Sequence, residues 1–217
     1  ENELAHAIET RALHLLFQPK VKVASDPAAG RLWTEMVGFE SLVRWQHPKH
    51  GMVSPADFIP FAESVGMMDV LTEAIFTLAL QQMKTWNDGG LEIPVSINVS
   101  AENLYDVKFA DVLAARCRTV GVPSAQITIE LTETAAMRDV TQAMDILSRL
   151  RIKGFDLSMD DFGTGYSSLV QLQRLPFSEL KIDQAFAAQS MDSEQSRVII
   201  KTMIDMAHNL GLRVVTE

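Results

Sequence analysis

The chain has 217 residues, of which 47% are hydrophobic and 22% charged, and its formal net charge is −9. This composition excludes an intrinsically disordered chain, and the negative charge argues against a basic surface for a nucleic-acid polymer. The single cysteine, Cys117, excludes an internal disulfide and favours a reducing compartment. No apolar stretch approaches the roughly 20 residues of a membrane span. We therefore expect a cytoplasmic domain that makes no membrane contact of its own.

Strand and helix patterns alternate from the N-terminus to the C-terminus, after a short N-terminal helix. The predicted elements in chain order are strands 15–23 and 36–45, helices 56–66 and 70–86, strand 94–100, helix 107–120, strand 127–133, helix 139–153, strands 156–162 and 179–183, helix 193–210 and strand 213–217. This alternation predicts one domain with a largely parallel sheet, either open and doubly wound or closed as a barrel. Seven strands do not decide between these, because a (β/α)8 barrel needs an eighth.

Polar residues lie near the ends of strands that are otherwise apolar: Glu40, Asn98, Glu130, Asp160, Asp161, Lys181 and Glu217. In a barrel, functional groups collect at the carboxyl ends of several strands. Oxygen donors of this kind select Mg2+ or Mn2+, and the five histidines lack the spacing of a zinc site. Two cations that share an aspartate would suit in-line attack on a phosphodiester. Each residue alone could instead be a helix cap or a solvated charge, but their coincidence favours a metal-dependent hydrolase.

Several sequence segments resemble those of one known family. They are FQP (17–19), GFESLVRW (38–45), INVS (97–100), ELTET (130–134), DDFGTGYSSL (160–169), LKID (180–183) and VVTE (214–217). The chain resembles the EAL-domain phosphodiesterases, which hydrolyse the bacterial second messenger cyclic di-GMP. The resemblance implies a modified TIM-like (β/α)8 barrel whose first strand is antiparallel to its neighbour. It also implies a single EAL domain over residues 1–217, without the last helix and strand of the family and belonging to a larger multidomain signalling protein.

The resemblance also implies a set of ligands for two Mg2+ or Mn2+ ions. One ion would be bound by Glu40, Asn98, Glu130 and Asp160, and the other by Asp160, Asp161 and Glu217. Lys181 would orient the attacking water or stabilise charge on the phosphate. Glu217 is the competing candidate for the proton, so the expected catalytic residues are Glu40, Asp160, Lys181 and Glu217.

Further residues match the substrate-binding positions of the family. Gln18 would contact a guanine edge, Arg44 a phosphate and Leu42 a base, and Asp183 is a further candidate for guanine. Glu133 would support the DFGTGYSS loop. Ser41 replaces the signature alanine, and because it faces away from Glu40 we expect little effect on function.

Two functional classes remain open at this point. The first is an active phosphodiesterase that produces linear pGpG, and the second is a receptor that binds cyclic di-GMP without cleaving it. An unrelated metal-dependent barrel enzyme would require all the segments to coincide by chance. The expected partners are cyclic di-GMP, a second EAL domain in a homodimer, and linked sensor, receiver or GGDEF domains outside the chain.

Overall fold

The computed structural model describes residues 2–10, 12–26, 31–164, 169–190 and 193–216. The chain divides into two compact units. The first contains Glu1–Asn98 and Leu113–Ile127, and the second contains Val99–Val112 and Thr128–Glu217. No described helix is both long enough and apolar enough to cross a membrane.

The helices and strands follow each other in this order: α1 (Asn2–Glu9), β1 (Leu13–Asp26), β2 (Arg31–His47), β3 (Gly51–Val53), α2 (Pro55–Ser64), α3 (Met68–Asp88), β4 (Val95–Asn98), α4 (Phe109–Val120), β5 (Ile127–Thr132), α5 (Glu133–Arg138), α6 (Val140–Ile152), β6 (Asp156–Phe162), α7 (Leu169–Arg174), β7 (Glu179–Ile182), α8 (Gln184–Ser190), α9 (Glu194–Asn209) and β8 (Arg213–Thr216). Short 3-10 helices lie at Ala101–Tyr105 and Ser124–Gln126.

In the first unit, β1 pairs antiparallel with β2, and β2 also pairs antiparallel with β3 and parallel with β4. Alternation along β1 and β2 separates two faces. Phe17 and Phe39 belong to one face, and their rings lie 4.8 and 5.2 Å from the ring of Trp86 on α3. The apolar stripe of α3, including the buried Leu71, Phe76, Leu80 and Met83, therefore covers that face. Gln18, Glu40 and Arg44 lie on the opposite face.

In the second unit, β5, β6, β7 and β8 pair in parallel, in that order. The strands β5, β6 and β7 are buried almost throughout, as is usual for parallel strands covered by helices. Apolar residues form one face of the sheet, among them Ile129, Leu131, Leu157, Leu180 and Ile182. Three charged residues near the carboxyl ends of these strands, Glu130, Asp160 and Lys181, are consequently buried.

The predicted strands and long helices all occur, with shifted ends. β1 and β2 extend beyond the predicted ranges into a long hairpin, because cross-strand pairing continues past the apolar pattern. The described residues form eight strands where seven were predicted, since the three-residue β3 is too short to have a pattern of its own. The short helices α5, α7 and α8 were also missed. Helix α6 begins after Asp139, whose carboxylate accepts a hydrogen bond from the N–H of Gln142.

Candidate functional site

One face of the β1–β2 hairpin carries four of the residues that the sequence singled out. Gln18 is paired with Glu40 and Leu16 with Leu42, and the next pair towards β3 includes Arg44. Directly paired residues project to the same side of a sheet, so Gln18, Glu40, Leu42 and Arg44 share one face. Gln18 is exposed, whereas the other three side chains are half-buried. The hairpin therefore presents an amide, a carboxylate, an aliphatic side chain and a guanidinium on a single accessible surface.

Asn98 orients the carboxylate of Glu40. The Nδ2 of Asn98, at the carboxyl end of β4, donates a 3.0 Å hydrogen bond to Oε1 of Glu40. The partner of Glu40 in the parallel ladder is Ser96, which lies on the same face as Asn98 because the two are two positions apart on β4. The predicted pairing of an amide and a carboxylate as neighbouring oxygen donors is thus geometrically available in the first unit.

In the second unit, Lys181 bridges two buried carboxylates. Its Nζ lies 3.1 Å from Oε2 of Glu130 and 3.1 Å from Oδ2 of Asp160. Glu130 is fully buried, Lys181 is 1% exposed and Asp160 is 9% exposed. Burying a charge without a partner is strongly unfavourable, so this ammonium offsets the cost of enclosing both carboxylates. The positive group beside Asp160 is therefore a lysine in this structure.

A β-bulge lies at the pair of neighbouring aspartates. Met159 is paired with Leu180 and Phe162 with Ile182, so two residues of β6, Asp160 and Asp161, oppose the single residue Lys181 of β7. Asp161 has a φ of 55°, in the left-handed region that aspartate tolerates better than most residues, and its N–H donates a 2.9 Å bond to Oδ1 of Asp160. A bulge interrupts strict alternation, and this explains how two adjacent carboxylates can occupy the end of one strand.

Glu133 fixes the start of the segment that follows the aspartates. The N–H of Gly163 donates a 2.8 Å hydrogen bond to Oε2 of Glu133, which is 2% exposed. Gly163 has a φ of 99°, and a Cβ there would lie 2.6 Å from Cε of Met203 and 3.0 Å from Cε2 of Phe186. Glycine is therefore required at this position for both conformation and space. Residues 165–168 of the predicted loop lie outside the described residues.

Of the two remaining candidates, Asp183 and Glu217, the structure describes only Asp183. Asp183 follows β7, and its Oδ1 accepts a 2.8 Å hydrogen bond from the N–H of Ala185 at the start of α8. One carboxylate oxygen of Asp183, which was predicted to contact guanine, therefore caps the N-terminus of α8. Glu217, predicted as a metal ligand and as a candidate for the proton, lies outside the described residues.

The donor atoms fit a hard divalent cation. A carboxylate oxygen of Glu130 and one of Asp160 lie within 4.8 Å of each other, and Asn98 and Glu40 bring an amide and a carboxylate together on β4 and β2. All of these groups offer oxygen atoms, which Mg2+ and Mn2+ prefer. The ammonium of Lys181 shows that Glu130 and Asp160 accommodate a positive charge between them.

Sequence reasoning did not single out Lys20. The Nζ of Lys20 donates a 2.9 Å hydrogen bond to Oγ of Ser96, which is 2% exposed. Lys20 lies on β1 two residues beyond Gln18, so the two-residue period of the strand could have placed it on the same face. The bulge at Asp160 and Asp161 had no such signal, because it depends on the register between β6 and β7.

The chain is similar to known proteins along its whole length. The family model described as EAL domain matches residues 1–217. The bifunctional diguanylate cyclase/cyclic di-GMP phosphodiesterase MucR of Pseudomonas aeruginosa is 36% identical over 217 residues, covering 100% of this chain and 30% of that protein. The cyclic di-GMP phosphodiesterase NbdA of the same organism is 36% identical over 218 residues, covering 100% of this chain and 27% of that protein. The chain thus spans less than a third of the length of these curated relatives.

The structural comparison supports the same relationship. A solved structure of the MucR phosphodiesterase in complex with c-di-GMP matches with a TM-score of 0.89 and 35% identity, covering 99% of this chain and 84% of that one. This similarity confirms the predicted fold class, a modified TIM-like barrel. The antiparallel pairing of β1 with β2 confirms the predicted direction of the first strand.

Proposed function

Because the chain belongs to the EAL domain family, we propose that it is a metal-dependent phosphodiesterase that hydrolyses cyclic di-GMP to linear pGpG. Relatives named as cyclic di-GMP phosphodiesterases are 36% identical to it across its whole length. The observation that carries the proposal is the cluster in which Lys181 bridges the buried Glu130 and Asp160 at 3.1 Å. A buried charged cluster at strand ends is costly to stability and is characteristic of a catalytic centre.

The proposed metal ligands follow the two sets expected from the resemblance. Glu40, Asn98, Glu130 and Asp160 would hold one Mg2+ or Mn2+ ion, and Asp160, Asp161 and Glu217 would hold the second. Bound cations of this type polarise a phosphate and lower the pKa of a coordinated water towards neutrality. The hydrogen bond from Asn98 to Glu40 supports this assignment, because it brings two oxygen-bearing side chains from neighbouring strands together.

The proposed substrate contacts come from the shared face of β1 and β2. The exposed amide of Gln18 can both donate to and accept from a guanine edge. Arg44 can pair with a phosphate, since its guanidinium presents two parallel donors. The half-buried Leu42 offers an apolar surface to a base, and Asp183 retains a second carboxylate oxygen beyond its helix cap.

Lys181 has two roles in the proposed reaction. It holds the carboxylates of Glu130 and Asp160 in place, and its ammonium can stabilise negative charge that develops on the phosphate or orient the attacking water. Glu217 remains the alternative group for the proton. We further propose that the chain acts in the cytoplasm beside linked signalling domains, and that it pairs with a second EAL domain.

A direct assay tests the proposed activity. The purified chain is incubated with cyclic di-GMP in Mg2+ or Mn2+, and the products are separated by chromatography. We expect pGpG to appear in either metal, and we expect Glu40→Gln to lose at least a hundredfold in rate because a ligand charge is removed. Glu35→Gln, on the exposed part of the same strand, is the matched control and should retain activity. Tight binding of cyclic di-GMP by the wild-type chain without turnover would instead establish the receptor function.

A further inference from the structure

We propose that Lys20 acts as a built-in counter-charge beside Glu40 and thereby weakens metal binding at this face. This inference rests on the proposed function, because it assumes that Glu40 and Asn98 ligate a divalent cation. Lys20 is half-buried, and its Nζ is held by the Oγ of Ser96 at 2.9 Å.

The strand register places Lys20 and Glu40 at diagonal positions on the same face of the sheet. β2 lies between β1 and β4 in the first unit. The Cα partner of Lys20 on β2 is Gly38, and Glu40 is the next residue of β2 on the same face. A diagonal position of this kind lies about 7–8 Å away between backbones, within reach of a long side chain. Ser96 is in turn the Cα partner of Glu40 on β4. The ammonium therefore reaches across β2 to the strand that flanks Glu40 on its other side.

Gly38 is the residue of β2 that pairs with Lys20. Neighbouring strands are about 4.8 Å apart, so a contact from β1 to β4 has to pass over the β2 residue between them. Directly paired residues project to the same side, and any larger side chain at position 38 would stand beside Lys20 on this face. Because residue 38 is glycine, no side chain at this position stands between Lys20 and Ser96, and the Nζ of Lys20 lies 2.9 Å from the Oγ of Ser96.

A positive charge at this place has opposite effects on the two states of the site. Without metal, the ammonium lowers the electrostatic cost of placing Glu40 on a half-buried surface. With metal, the same charge repels the divalent ion, and this repulsion persists because Ser96 holds the ammonium in place. Loss of the charge would leave Glu40 oriented, since the hydrogen bond from Asn98 at 3.0 Å does not involve Lys20. Relief of the repulsion should therefore outweigh any loss of positioning.

The test is a Mn2+ titration without substrate, followed by the electron paramagnetic resonance signal of free Mn2+. Lys20→Met keeps the length of the stem and removes the charge, and we expect its apparent Kd for Mn2+ to fall roughly threefold to tenfold. Lys20→Gln, which can still donate to Ser96, is the second neutral variant and should behave in the same way. Lys20→Arg keeps the charge and should stay within about twofold of the wild type. Lys22→Met is the matched control, because Lys22 is exposed on the same strand beyond the bulge at residue 20.

Thermal unfolding of the same variants provides a second readout. Without metal, Lys20→Met should unfold at a lower temperature than Lys22→Met, and saturating Mn2+ should narrow that gap, because a ligand that binds more tightly stabilises more strongly. Unchanged or weaker Mn2+ binding in both neutral variants would overturn the inference about Lys20 alone. A wild-type chain that binds no Mn2+ would overturn the metal assignment as well. The Mn2+ titration tests the role of Lys20 even in a chain that does not hydrolyse cyclic di-GMP, because it does not measure turnover.

Discussion

The backbone N–H of Gly163 donates a 2.8 Å hydrogen bond to the buried carboxylate of Glu133, and this contact joins the first residue of α5 to the segment that follows the paired aspartates. Hydrogen bonds to charged groups contribute about 1.5–3 kcal/mol. Because Asp160 and Asp161 directly precede this segment, the contact couples the position of the loop to the position of the proposed ligands.

Glu133→Ala is expected to reduce the rate of cyclic di-GMP hydrolysis by at least tenfold and to lower the free energy of unfolding by about 1.5–3 kcal/mol. Glu133→Gln keeps an acceptor oxygen for Gly163 and should retain more of the hydrolysis rate and more of the unfolding free energy than Glu133→Ala. Glu194→Ala is the matched control, since Glu194 is also the first residue of a helix but is exposed. Hydrolysis rates and urea unfolding are the measurements. Equal effects of the Glu133→Ala and Glu194→Ala changes would contradict a role for the contact in the loop.

Gly163→Ala tests the close packing at the same point. The new Cβ would meet Met203 at 2.6 Å and Phe186 at 3.0 Å, and the φ of 99° disfavours any side chain. We expect a loss of about 1–3 kcal/mol in unfolding free energy, together with reduced activity. Gly211→Ala is the control, because Gly211 has a φ of 76° with no atoms near the added Cβ. The difference in unfolding free energy between the two variants measures the cost of the steric contacts at position 163. Equal losses of unfolding free energy would mean that only backbone strain matters.

Lys181→Met removes the cation between two buried carboxylates. Breaking a buried ion pair by removing one partner costs about 3–5 kcal/mol, so the metal-free variant should unfold at a much lower urea concentration than the wild type. Hydrolysis should also be lost, because the ammonium that would stabilise charge on the phosphate or orient the attacking water is removed. Lys201→Met, on the exposed side of α9, is the control. A metal-free Lys181→Met variant with wild-type stability would show that groups other than Lys181 compensate the buried carboxylates of Glu130 and Asp160.

The pH dependence of stability should report on Asp156. Burial by itself would raise the pKa of Asp156, but hydrogen bonds from Arg213 and Arg151 outweigh this and hold the pKa below the ordinary value of 3.8. A lowered pKa contributes stability that is present above the unfolded-state value and is lost as the pH falls through the folded-state value. Asp156→Asn should therefore destabilise the chain at neutral pH, and its difference from the wild type should shrink as the pH falls below 3.8.

Urea unfolding at a series of pH values measures this difference. Asp145→Asn is a suitable control, because Asp145 pairs with Arg149 at 3.1 Å on an exposed helix face, where an ion pair contributes little. A difference between Asp156→Asn and the wild type that does not change with pH would contradict the assignment.

Ser41→Ala tests the expectation that the departure from the signature alanine has little effect on function. The hydroxyl of Ser41 is 3% exposed and donates a 2.8 Å hydrogen bond to the carbonyl oxygen of Ser96. Its loss should cost about 1 kcal/mol of stability and leave the rate of hydrolysis unchanged. The measurements are thermal unfolding and the rate with cyclic di-GMP. A large change in rate would show that Ser41 influences Glu40, its neighbour on the opposite face.

Much of the candidate site could be predicted from local patterns. The two-residue period of a strand places Glu40, Leu42 and Arg44 on one face whatever the rest of the chain does, and the pairing of Gln18 with Glu40 agrees with that expectation. Helices were predicted where apolar residues recur at helical spacing, as in α3. Short elements such as β3 and α5 were missed, because a few residues contain too little of either period to be recognised.

Other features of the site depend on register and packing. The bulge that sets Asp160 and Asp161 opposite Lys181 arises from the pairing of β6 with β7, and neither strand encodes it separately. The contact of Glu133 with Gly163 spans 30 residues, and the reach of Lys20 to Ser96 spans 76. The sequence by itself determined which chemical groups are available and which strand faces they occupy, since alternation is a local property of the backbone. Only the tertiary structure decided which charges meet, because that depends on how strands distant in sequence align.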